Sequence, residues 1–160
     1  MKKVMCALLA MLIMTGCSKN GEEAPENGVL INGIAVSIDH NFNEIKNHLG
    51  NVLTVSTQPS CMYSGDEKVY SYQSFDIQTY PDGSNEKVES VTVRTPDCIV
   101  PGSIQVGDDI NLLEQELSNV EFKKTPRIWF YEKKGFGIRY FYEADSMISA
   151  IEIYKIMEGS

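Results

Sequence analysis

The chain has 160 residues, with 14 Lys and Arg against 22 Asp and Glu and a formal net charge of −8. Such a surface repels nucleic acid, and the longest basic runs are the pairs Lys123-Lys124 and Lys133-Lys134, so a nucleic-acid role is set aside. The length allows one domain with a substantial core, or two very small ones.

At the N-terminus, Lys2 and Lys3 precede an apolar stretch from Val4 to Met14 that is too short to cross a bilayer and closes on Thr15-Gly16-Cys17. Small residues at Thr15 and Gly16 open the backbone to a peptidase, and the thiol that follows is what diacylglyceryl transfer needs. The pattern resembles the lipobox of bacterial lipoproteins. That resemblance implies a signal peptide over residues 1–16, a mature N-terminus at lipid-modified Cys17 and a place on the extracytoplasmic face of the cell membrane. Two acyl chains of the palmitate type, at about 0.8 kcal/mol per buried CH₂, hold such a protein to a bilayer. Residues 17–27 are polar and lack apolar periodicity, as a flexible tether would.

Cys6 leaves with the signal peptide, so Cys61 and Cys98 remain in a chain exported to an oxidising compartment, where a disulfide between them is expected. Neither has a second Cys or a His at metal-ligand spacing, and His40 and His48 lie far off in sequence, so no metal or cofactor is expected.

Past Val29 two similar units follow one another. In the first, Ile34-Ala35-Val36 is extended, and Phe42, Ile45, Leu49 and Val52 recur at helical spacing. Asn41 with Glu44 caps that helix and Gly50 ends it. Three strands are then predicted over Val69 to Tyr72, Phe75 to Tyr80 and Val88 to Val93, from their period-two alternation and their aromatic and β-branched content. The second unit has Ile104-Gln105-Val106 extended, Ile110, Leu113, Leu117 and Val120 at the same helical spacing, and Asp108 or Asp109 as the cap. Its strands are predicted over Ile128 to Tyr131, Phe136 to Phe141 and Ile148 to Ile153. The expected fold is therefore α+β. Two repeats, over residues 28–95 and 102–157 with a linker at 96–101, each supply one helix and a three-stranded antiparallel sheet, with the helices packed on one sheet face of one domain.

The run Ser60-Cys61-Met62-Tyr63-Ser64-Gly65-Asp66-Glu67-Lys68-Val69-Tyr70, followed by Thr79-Tyr80-Pro81-Asp82-Gly83, resembles an uncharacterised lipoprotein family of clostridial-type Gram-positive bacteria. The resemblance spans roughly residues 28 to 155, and it implies anchoring and fold rather than a chemistry. The tandem helix-then-hairpin unit is also similar, at the level of fold alone, to the β-lactamase inhibitor protein and to small outer-membrane assembly lipoproteins, which bind other proteins.

No catalytic residue is singled out. His40 lies in the loop before the first helix and His48 on that helix's solvent side, away from a nucleophile. Asp108-Asp109 lacks the spaced oxygen ligands of a calcium loop, and Gly135 and Gly137 flank Phe136 without the helix that a phosphate cradle needs. The strands are instead rich in aromatics, and Tyr70, Tyr72, Trp129 and Tyr131 occupy matching positions in the two units. They form the candidate binding face. The expected function is a non-catalytic, membrane-anchored module that binds a protein or cell-envelope component; a purely structural envelope lipoprotein and a hydrolase with an unrecognised site remain the alternatives.

Overall fold

Side chains on a strand alternate between two faces, and in this chain the alternation produces one sheet with a packed face and an open one. The computed structural model describes residues 23–157. Among them, β1 (Gly28–Ile31) and β2 (Ile34–Ser37) form a hairpin turned by Asn32 and Gly33, both at positive φ. Next comes α1 (Phe42–Ile45), continued by a 3₁₀ turn to His48. Four strands follow: β3 (Thr54–Pro59), β4 (Asp66–Ser71), β5 (Phe75–Asp82) and β6 (Asn85–Val93). In the second half a 3₁₀ turn starting at Ile110 leads into α2 (Leu113–Glu116). It precedes β7 (Lys123–Thr125), β8 (Ile128–Lys133), β9 (Phe136–Tyr142) and β10 (Ile148–Lys155). Strands β3 to β10 make a single antiparallel sheet in the order β3-β4-β5-β6-β10-β9-β8-β7.

This corrects the α+β expectation of two units with one helix and three strands each. The protein is mostly β, each half brings four strands, and the halves share one continuous sheet. The helices are four residues each, a single turn. A helix this short does not repay its own nucleation and exists because its apolar residues are buried against the sheet. Gly50, at φ +101°, turns the chain before Val52 can join the helix. The capping residues do act as the sequence indicates. Asn41 accepts from the Asn43 N–H and donates to Glu44, and Asp109 accepts from the Asn111 N–H. Ile104-Gln105-Val106 is loop rather than strand, although Ile104 is buried.

Two rows of the packed face run straight across the sheet. Tyr70, Ile77, Val91, Ile153, Ile138 and Tyr131 stand opposite one another in succession, as do Phe75, Val93, Ile151, Tyr140 and Trp129. Above them lie Val29, Ile31 and Val36 of the β1–β2 hairpin, Phe42 and Ile45 of α1, and Ile110 and Leu113 before and in α2, all in the same apolar cluster. Each such aliphatic side chain contributes about 1.5–3 kcal/mol by leaving water.

One corner is closed by polar contacts instead. The Tyr80 hydroxyl donates to Asp39 at 2.6 Å, Lys155 Nζ donates to the same carboxylate oxygen at 2.7 Å and to the Tyr80 hydroxyl at 2.8 Å, and Tyr63 stacks on Tyr80 with ring centroids 4.3 Å apart. These contacts tie the segment before α1 to β5, to β10 and to the β3–β4 loop. Burial by itself raises the Asp39 carboxyl, but the hydrogen bonds from Lys155 and Tyr80 outweigh it and hold the group below its ordinary value. A depressed carboxylate stabilises the fold fully above its unfolded pKa and loses that contribution as pH falls through the folded value. Melting temperature measured between pH 7 and about pH 3 is therefore expected to fall less steeply at the acid end for Asp39→Asn than for the wild type. Parallel curves would show that Asp39 carries none of the acid sensitivity.

Candidate binding surface

The aromatic stripe singled out from the sequence belongs to the packed face. Tyr72, Trp129 and Tyr131 are 3, 9 and 8% exposed, and Tyr70 is half-buried against Phe42 at 4.4 Å between ring centroids. Phe122 explains the second pair, since its ring meets those of Trp129, Tyr131 and Tyr140 at 6.1, 5.6 and 6.2 Å. The candidate binding face of Tyr70, Tyr72, Trp129 and Tyr131 is thus corrected to core. Alternation puts the four on one face but does not say which face the helices and the β1–β2 hairpin cover. The Tyr70 hydroxyl donates to Glu86 at 2.6 Å, and Lys68 pairs with the same carboxylate. Burial, and then the Glu86 contact, push the Tyr70 phenol well above its ordinary value.

Cys61 and Cys98 are both free thiols in the structure. Cys61 is exposed in the β3–β4 loop. Cys98 is buried in the segment after β6, where burial pushes its thiol up to about 11. Cys17, residues 1–16 and the tether as far as Glu22 lie outside the described residues. His48 is exposed, and His40 sits half-buried beside the Asp39 corner. Among the described residues there is no group of three or more His, Cys, Asp or Glu placed to hold a metal ion, and no helix is long and apolar enough to cross a membrane.

The surface that stands out is the face of the sheet opposite the helices. Its two central rows read Ser71, Asp76, Thr92, Glu152, Arg139, Phe130 and Lys123, and then Val69, Gln78, Ser90, Tyr154, Gly137 and Glu132. Most of these side chains are half-buried rather than extended into water, because they lie along the sheet and pair with one another. Arg94 pairs with Asp76, Gln78 donates to Glu89 at 2.8 Å, Arg139 to Glu152 at 2.9 Å and Lys123 to Glu132 at 2.8 Å.

Tyr154 is the fixed point of this face. Its ring lies over Gly137 on the neighbouring strand, where a Cβ would overlap the ring, so only glycine leaves room for it. The Arg139 guanidinium sits 3.7 Å from the ring centroid, and the hydroxyl donates to Glu132 at 3.2 Å. Lys123, which holds Glu132 from the other side, lies 5.5 Å from the centroid of Phe130. Two cations, two carboxylates and two rings thus make a flat patch with no net charge in a chain of net charge −8.

Comparison with protein-family models, with curated proteins and with solved structures finds no match. What the patch can do is therefore read from its own residues. Arg and Phe are types enriched in the buried centres of protein interfaces, and Arg139 is already held by Glu152 and by the Tyr154 ring, itself only 9% exposed, so little of its side-chain freedom is lost when a partner covers it. The patch carries no unpaired nucleophile and base of the kind that acyl transfer needs. Sequence reasoning passed over Tyr154, yet Gly137 inside a strand was a usable signal, since an interior glycine marks the close approach of something bulky.

If the aromatic stripe is core, Trp129→Ala should cost about 3–5 kcal/mol of stability in urea unfolding. A loss below about 1 kcal/mol would return Trp129 to the surface.

Proposed function

We propose that the protein is a non-catalytic binding module, anchored through lipid on Cys17 to the extracytoplasmic face of the cell membrane, which holds a protein or cell-envelope component against the open face of its sheet. One observation carries this reading: Arg139, seated on the buried Tyr154 ring, and half-buried Phe130 form a preorganised, charge-balanced patch on the sheet face opposite the helical turns and the β1–β2 hairpin. The anchor is supported by Lys2 and Lys3, the apolar stretch to Met14 and the Thr15-Gly16-Cys17 processing site.

A pair of measurements tests the two parts. Cys17→Ala should leave the protein as an unprocessed precursor, whereas the wild type fractionates with membranes in its processed form. Phe130→Ala combined with Arg139→Ala should reduce recovery of a partner from the protein's own cell envelope by the equivalent of about 2 kcal/mol or more, with the melting temperature nearly kept. Equal recovery by wild type and double variant would remove the open face as the binding site.

A further inference from the structure

The two edges of the eight-stranded sheet are built differently. Edge strand β7 is three residues long and carries Lys123 and Lys124, which is how edges are usually kept from pairing with other strands. The other edge, β3, reads Thr-Val-Ser-Thr-Gln-Pro, is exposed along all six residues and contains no charge. Leu53 and Val55 beside and within it are 65 and 50% exposed.

Hydrogen-bond alternation tells which backbone groups face outward. The Tyr72 N–H donates to the Phe75 carbonyl, so even-numbered residues of β4 bond to β5 and odd-numbered ones to β3. Odd-numbered β4 residues stand opposite Thr54, Ser56 and Gln58, and the Ser60 N–H to Gly65 carbonyl bond continues the same pattern. The N–H and C=O of both Val55 and Thr57 therefore point away from the sheet, and no strand among the described residues pairs with them. Pro59 closes the run by offering a carbonyl without a donor.

The geometry points to β3 as a self-pairing edge, with a second copy of this chain as its occupant. A two-fold axis at Ser56 sets Val55 opposite Thr57 of the second copy, and the reverse, so the four outward N–H groups meet the four outward carbonyls of the same residues. Val55 lies on the same side of the strand as Thr57 and Pro59, so each copy's exposed Val55 meets the other copy's Thr57. Two chains of net charge −8 repel over most of their surface, and β3 is a strand on which they can approach without opposing like charges. The result is a sixteen-stranded antiparallel sheet that extends the open face across both copies.

The axis also supplies the test. Ser56 would face its own equivalent at a Cα separation of about 4.5 Å, which suits a disulfide. In the full-length chain carrying Cys61→Ser, mild oxidation of Ser56→Cys in membranes should give a reducible band at twice the chain mass. Lys124→Cys on the β7 edge should give none. Adding Thr57→Pro, which removes an outward N–H and no internal hydrogen bond, should abolish the band while leaving the melting temperature nearly unchanged. A Ser56→Cys chain that stays monomeric, that links no better than Lys124→Cys, or that links instead to a protein of different mass would overturn the assignment of a second copy to this edge.

Discussion

Four residue pairs join the two halves of the protein into one sheet. Val91 to Ile153, Val93 to Ile151, Ser90 to Tyr154 and Thr92 to Glu152 form the ladder between β6 and β10, and every row of the sheet passes through it. Without that ladder each half is a four-stranded sheet with a single-turn helix, too small to bury a core of its own. With it, β6 and β10 become central strands. Val91, Val93, Ile151 and Ile153, each fully buried, sit at the middle of one continuous apolar layer. The β1–β2 hairpin, the two helical turns and the loop residue Phe122 then have a single surface to cover.

That coverage is one-sided, and the open face follows from it. Residues pointing away from the helices cannot be apolar throughout, so they are Asp76, Thr92, Glu152, Arg139, Gln78 and Ser90, paired across strands in the way that stabilises an antiparallel sheet. Exposed ion pairs of this kind add little to stability, typically 0–1 kcal/mol. Their effect is to fix side-chain positions. Gly137 shows the constraint most clearly, since its missing side chain is what lets the Tyr154 ring lie flat under Arg139. The same strands thus serve the core with one set of residues and present a preorganised patch with the other.

Much of the strand content was legible in the sequence, because burial on one face writes a period of two. The regions of β5, β6, β8, β9 and β10 were all marked by that signal, and Asn41 and Asp109 were marked as caps by residue type. Both outer strands were illegible for the opposite reason. All residues of β3 and β7 are exposed, so neither has an apolar face to alternate with a polar one. Helical spacing misled in the other direction: Val52 and Val120 complete an apolar pattern, yet Gly50 and the short helices leave both outside any helix. The candidate site failed on a binary choice. Tyr70, Tyr72, Trp129 and Tyr131 do share a face, but nothing in their spacing says that α1 and Phe122 lie over it. The patch that replaces them rests on Tyr154, a residue whose role depends on a glycine across the strand pair and is written in neither position alone.

The central claim is that the β6–β10 ladder makes the two halves one cooperative unit, and native-state hydrogen exchange measures it most directly. Amides in β5, β6, β9 and β10 should exchange only through global unfolding, with one shared opening free energy and one shared dependence on denaturant. A lower-energy opening that releases the amides of β8 to β10 while those of β4 to β6 stay protected would contradict it, and would mean that the halves fold as separate modules.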